Sequence, residues 1–332
     1  MGPCSSQQGP FLAKAAVGLF LYNSSMIEFH RLLLGDRVRN DAFEKAIRSY
    51  VKPGKTVVAD IGSGTGFLAF LASKAGAKEC HLFEMDPDMA ALSRALAKRN
   101  GITNCRVTAG HSADIPRPPK VDLIVSETLG NYALEEGIVE TMNDAVKRFL
   151  APDGAVMPCA LRQYVVPVTS DRLWKELNIW PGVGFDLDFT DAEQKTLQNV
   201  YVREIRPADL LKDGTREWDS IDFHKQNDSV REREVSWTMK ADTVVTGFCL
   251  FWEADLTPDI TLSTSPDEPM THWQQIYLPV LEPIQTTAGD MLTLGIRSDT
   301  RPAVKINLQW DIVVTTNAGK KTLQQRLDMK RG

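Results

Sequence analysis

The sequence predicts an α/β chain, in which a doubly wound parallel sheet follows N-terminal helices and precedes an antiparallel barrel or sandwich. Three observations carry this. Strand-like and helix-like runs alternate between residues 56 and about 150, the pattern of a parallel sheet covered by helices on both faces. Before residue 50 the apolar spacing is helical. From residue 160 onward, short β-rich runs recur between turn signals. A length of 332 residues suits about two domains, and the expected divisions are 1–50, 51–155 and 156–332.

Residues 11 to 50 read as helical, with Met26, Phe29, Leu33, Val38, Phe43 and Ile47 near one face after a slip at Gly35. "FLAKAAVGLFLY" carries Lys14 and no basic stretch ahead of it, so it reads as an amphipathic helix rather than a leader. "MGPCSS" formally fits the myristoylation pattern, which six residues match easily by chance. "TVVADIG" is a continuous apolar strand, "FLAFLASKAG" a helix ending in glycine, and "CHLFEMD" the next strand. "PDMAALSRALAKRNG" is a helix with Pro87 in its first turn and Gly101 just past its end. "VDLIVSE" is a strand and "EGIVETMNDAVKRFL" a helix. After "APDG" the strands are "LRQYVVPV", "EVSWTMK", "VVTGFCLFWEADL", "QQIYLPV", "MLTLGIR" and "VKINLQWDIVV". A helical interruption at about 172–206 carries Trp174, Trp180 and Phe185, more apolar bulk than a solvated excursion needs. The terminal "KKTLQQRLDMKRG" reads as a solvated end.

Net charge is −5, from 38 basic and 43 acidic residues, which argues against binding through nucleic-acid phosphates and suits a cationic substrate. Five scattered cysteines without a C-x-x-C pair point to a reducing, cytoplasmic setting, with no structural zinc or other metal. No apolar run approaches the roughly 18 residues of a membrane helix.

"DIGSGTG" (Asp60 to Gly66) lies between a strand and a helix, where glycines let the backbone approach a ligand. By itself it could be a tight turn. No Gly-Lys-Ser/Thr follows, which excludes a triphosphate loop, and Phe67 stands where a dinucleotide loop wants a small residue. Glu84 ends the next strand, 24 residues after Asp60, placed to accept hydrogen bonds from ribose hydroxyls. The pair suits S-adenosylmethionine: Asp60, Gly62, Gly64 and Glu84 are the candidate cofactor residues.

"SETLGNYALEEG" (126–137) follows the strand expected beside the first one, where a doubly wound sheet binds its ligands. If the loop doubles back, Glu127 and Glu136 meet, and two such carboxylates repel unless a cation lies between them. A guanidinium is the natural guest, planar and permanently charged. The alternative is an acidic helix start, and that reading stands for Glu135.

With these residues in place, the chain resembles the protein arginine N-methyltransferase family over nearly its whole length. The likeness rests on "DIGSGTG", on the double-Glu loop with Ser126, Glu127, Gly130 and Glu136, and on the Thr271–His272–Trp273 motif. It rests also on "HRLLLGDRVR", with His30, Leu33, Leu34, Asp36 and Arg39. The resemblance implies a Rossmann-like sheet, then a β-barrel, with the stretch at 172–206 as an arm joining two subunits into a homodimer. It also implies that Arg39 meets the methionyl carboxylate with His30 close by, and that His272 faces the site while bonded to Asp36. Trp273 would contact the substrate, and Asp114 would stand beside the adenine, because Ala113 occupies the usual acid's position. Phe20 and Ser24 replace the family's paired tyrosines, and Thr128 replaces a bulky residue. The implied reaction is methyl transfer to an arginine nitrogen of a protein. Free L-arginine, or another small guanidine, is the second reading, and a catalytically silent dimeric scaffold is the third.

Overall fold

The computed structural model describes residues 22–332, so the readings on residues 1–21 lie outside the described part. Asp36 separates α1 (Tyr22–Gly35) from α2 (Arg37–Tyr50). Its backbone is extended, and its carboxylate caps α2 by accepting the Arg39 N–H at 2.9 Å. The break resets the helical phase, which divides the single apolar face expected across this region. Phe43 and Ile47 enter the core, whereas Phe29 and Val38 are exposed.

The parallel sheet contains β1 (Val57–Ile61), β2 (Glu79–Glu84), β3 (Cys105–Ala109), β4 (Val121–Ser126) and β5 (Leu150–Met157), in the order β3-β2-β1-β4-β5. It alternates with α3 (Phe67–Lys74), α4 (Pro87–Arg99) and α5 (Ile138–Arg148). β1 therefore lies between β2 and β4, and the chain reverses its direction of strand addition there. The carboxyl ends of these three strands open onto one crevice. β3 and β5 were not apparent from pattern. β3 is a half-exposed edge strand, and β5 passes through "APDG", which looks like a turn. The register shifts from Val121↔Leu150 to Leu123↔Ala155, and this irregularity absorbs the extra residues.

The remaining chain supplies α6 (Arg172–Leu177), α7 (Thr190–Leu197) and ten antiparallel strands. These are β6 (Ala160–Val168), β7 (Tyr201–Arg203), β8 (Arg216–Asp222), β9 (Val230–Thr238), β10 (Thr243–Thr257), β11 (Ile260–Ser263), β12 (Gln275–Thr286), β13 (Met291–Asp299), β14 (Asn307–Thr315) and β15 (Lys321–Asp328). One sheet runs β7-β12-β10-β6-β8, with β11 on β10, and the other runs β15-β14-β13-β9. One continuous core joins Phe43, Val125 and Phe149 to Trp218, Trp252 and Trp310 of the antiparallel half.

Two readings are corrected here. The C-terminal segment is not a solvated end but strand β15, because Leu327 alternates inward and is 0 % exposed. The interruption at 172–206 is only partly helical and ends in β7, which pairs with β12. Trp174 packs on its own barrel, donating from Nε1 to Val280 O at 3.0 Å, and Trp180 donates to Thr196 Oγ1 at 2.9 Å. Of the three aromatics only Phe185 projects, 87 % exposed. No helix among the described residues is long and apolar enough to cross a membrane.

Candidate active site

A cavity of about 390 Å³ lies over the ends of β1, β2 and β4, roofed by α1 through Phe29, His30, Leu33 and Leu34. Its floor is the glycine loop. Gly62 (φ 71°) and Gly64 (φ 51°) are left-handed, and a Cβ on Gly62 would come within 2.7 Å of Thr128 Cγ2. A Cβ on Gly64 would strike the His30 ring. Only glycine satisfies both backbone and space here. Ser63 Oγ in the same loop is buried without a partner.

The expected cofactor acids hold this loop in shape. Glu84 accepts the Gly64 N–H at 2.7 Å through one oxygen and the Asp86 N–H at 2.8 Å through the other. Asp60, 1 % exposed, accepts the Ala69 N–H at 3.0 Å and so ties β1 to the first turn of α3. Its burial, reinforced by the charges of Glu84 and Glu127, pushes its carboxyl up to about 7. Burial likewise lowers the pKa of His30 below its ordinary value.

Glu127 and Glu136 both line the cavity. Glu127 receives Arg39, whose Nε donates to Oε2 at 2.9 Å while Nη2 contacts the same oxygen more closely. Both side chains of this pair are 6 % exposed. Glu136 opens onto the cavity with no such cation. The enclosing protein wall, together with the charges of Glu127 and Glu135, pushes its carboxyl up to about 7. Glu135 is not part of a helix start: α5 begins at Ile138 after left-handed Gly137, and Glu135 closes the turn by accepting the Asn131 N–H at 2.7 Å.

His272 reaches α2 from the antiparallel half. Its main-chain N–H and its Nδ1 each meet Asp36 Oδ2 at 2.8 Å, while Nε2 is buried without a partner. Burial alone would raise the Asp36 pKa, but these bonds and the Arg39 N–H outweigh it and hold the carboxyl below its ordinary range.

Four expected residues are absent from the cavity wall: His272 and Asp36, which bond to each other beside it, and Trp273 and Asp114. Trp273 is buried beneath the double-Glu loop, donating from Nε1 to Leu129 O at 2.7 Å, because the loop folds back over it. Asp114 is exposed at the end of a 3₁₀ turn, and Gly110, His111 and Ser112 line the cavity instead. Those three follow β3, so missing that strand hid them. Thr141 also lines the cavity, from α5, with no signal in its local sequence.

The glycine cradle, the unpartnered Ser63 hydroxyl and the acid at the end of β2 fit S-adenosylmethionine, and together with the Rossmann-like sheet they define the class: a methyltransferase that uses this cofactor. Comparison with known proteins agrees. Residues 52–183 match a methyltransferase domain, and residues 160–326 match the PRMT5 oligomerisation domain. The chain is 30 % identical to the arginine N(omega)-methyltransferase of Streptomyces achromogenes subsp. streptozoticus, over 81 % of this chain and 75 % of that protein. It is 28 % identical to the protein arginine N-methyltransferase PRMT10 of Arabidopsis thaliana, over 82 % of this chain and 80 % of that one. In fold it resembles a chain of the Trypanosoma brucei PRMT1 enzyme–prozyme heterotetrameric complex with AdoHcy, with TM-score 0.80 and 22 % identity, covering 91 % of this chain and 98 % of that one. The chain belongs to the protein arginine N-methyltransferase family, and it is an arginine N-methyltransferase.

Proposed function

We propose that this enzyme methylates arginine side chains of proteins, with Glu127 and Glu136 gripping the guanidinium from two sides. The observation that carries this is the pair itself: two carboxylates lining one cavity, one raised to about 7 by burial and by its acidic neighbours. Arg39 on Glu127 is an internal example of the same recognition. Charge drawn toward the carboxylates leaves the remaining nitrogen with more lone-pair character, and holding it in place removes much of the entropic barrier. S-adenosylmethionine, when bound, supplies the electrophilic methyl. Gly62, Gly64, Asp60 and Glu84 would hold it, with His30 above the loop and Arg39 as the cation for its carboxylate. Methyl transfer to a protonated guanidinium leaves a transient dication far more acidic than its parent, so one proton can leave late to a carboxylate, to water, or through water to His272 steadied by Asp36.

Free L-arginine is the second reading, favoured by the name of the Streptomyces relative. It needs a cation for the α-carboxylate, and among the described residues lining the cavity Arg39 is the one Lys or Arg, already engaged by Glu127. An arginine flanked by neutral amides needs none. Mass spectrometry of products from free L-arginine and from N-acetyl-arginine-amide peptides separates the two. Product from capped peptides supports the protein reading, and turnover of free arginine alone replaces it with the second.

We also propose a homodimer, supported by the match to an oligomerisation domain and by exposed Ile179, Phe185 and Leu187 on the arm. Replacing these three with Ser should give monomers by light scattering, and a monomeric active parent would refute the assignment. Free Cys80, Cys105, Cys159 and Cys249 suit the cytoplasm, which cell fractionation would test.

A further inference from the structure

The loop joining the two carboxylates is gripped from the antiparallel half at four successive residues. Trp273 Nε1 donates to Leu129 O at 2.7 Å, and Trp252 Nε1 donates to Gly130 O at 3.1 Å. The Gln274 N–H donates to Asn131 Oδ1 at 2.9 Å, and the Tyr132 hydroxyl shares a hydrogen bond with Ser298 Oγ at 2.8 Å. Trp252 differs from the others in where it stands. It lies within the long strand β10, 1 % exposed, with its own N–H donated to Thr264 Oγ1 at 3.0 Å. Its ring packs edge to face on Trp273 at 5.0 Å, so the two indoles brace each other. The carbonyl it holds belongs to a crowded position, since a Cβ on Gly130 would run into the Glu135 carboxylate.

We infer that Trp252 is a positioning residue for methyl transfer: by fixing the Gly130 carbonyl, its indole N–H sets the spacing of Glu127 and Glu136, and so the aim of the guanidinium nitrogen. The inference rests on the reading of that pair as the guanidinium grip. Trp252 does not line the cavity. Without Trp252 the loop keeps its bonds at Leu129, Asn131 and Tyr132 but loses the one at Gly130. The two mutually repelling acids then gain freedom to separate, and a misplacement of about 1 Å can cost ~10²-fold in rate.

Two replacements at position 252 test it. Trp252→Phe keeps an aromatic ring and removes the donor. Site-specific 3-benzothienylalanine keeps the indole outline and replaces the N–H by sulfur. In both, with cofactor affinity measured by calorimetry and the folded fraction by circular dichroism, kcat should fall by roughly 10- to 100-fold. The rise of kcat/KM with pH should also shift downward, because the Glu127 charge, moved away, no longer raises Glu136. Wild-type kcat per folded, cofactor-binding molecule with an unshifted pH profile would leave Trp252 a packing residue and overturn the inference. Glu136→Gln measured alongside separates the causes: if it is silent, the grip itself is wrong. If it is inactive while both replacements at 252 are fully active, only the role of Trp252 falls.

Discussion

Around the parallel sheet the cavity is built from groups that titrate or bend: Asp60 and Glu84 at the carboxyl ends of β1 and β2, Glu127 just past β4, Glu136 ahead of α5, and left-handed glycines between. The antiparallel half contributes groups of another kind, the His272 imidazole on Asp36 and two indoles under the loop. The first set lies at strand ends and on the short loops that follow, where acids can crowd a ligand. The second lies on or beside long strands, where the backbone is held by its neighbours. Two acids that repel cannot fix their own separation, so the grip depends on a rigid partner with no charge of its own. One half supplies the chemistry and the other supplies its geometry.

The sharpest division should come from the carboxylates. Glu127→Gln and Glu136→Gln keep shape and remove charge. A carboxylate about 4 Å from a guanidinium is worth roughly 4 kcal/mol at an effective dielectric near 20, so turnover should fall about 10³-fold. Calorimetry should find cofactor affinity nearly intact. If Glu135→Gln were the damaging change and Glu136→Gln silent, the loop would be gripping through the wrong acid.

A barrel variant away from the loop should behave oppositely. Leu327→Ala empties a fully buried site on β15 and should lower stability by about 2–5 kcal/mol in urea unfolding. Its kcat, measured where the protein is folded, should be unchanged, and a loss of kcat there would break the comparison.

Arg39 stands on the boundary, and replacing it sharpens the picture. Arg39→Ala should weaken S-adenosylmethionine binding by about 1.5–3 kcal/mol if it makes a charge-assisted bond to the cofactor carboxylate. It also frees Glu127, so arginine substrate should bind the cofactor-free variant more tightly than the cofactor-free parent. Unchanged affinity for both ligands would remove Arg39 from the site.

The smallest effect is on pH. A guanidinium binds the charged form of Glu136, whose carboxyl is pushed up to about 7 by burial and by Glu127 and Glu135. kcat/KM for the arginine substrate should therefore rise with pH up to about 7 and level off above it. The group is protonated below that point and meets the cation as a neutral acid. Glu136→Gln should abolish the step in its residual activity, and a profile flat from pH 6 to 8 in the parent would contradict the assignment.

Much of this site is written within short windows. "DIGSGTG", Glu84 and "SETLGNYALEEG" each contain the strand, the turn and the reactive group within a dozen residues, so local patterning located them. Apolar runs and helix signals likewise determined the parallel sheet and most barrel strands. Where the apolar signal was weak or the run short the pattern failed: β3 at an edge, β5 through a turn-like tetrapeptide, β15 in a charged tail, and the strands β7, β8 and β11. What only the tertiary structure decided is which distant groups meet. Arg39 reaches Glu127 across 88 residues, and Trp252 reaches Gly130 across 122. Neither contact leaves a mark on local spacing, because an indole that serves a loop carbonyl and one that only fills a core occupy the same inward position of a strand. The acids of the site followed from local sequence; the separation at which they are held depends on sheets that close only when the whole chain has folded.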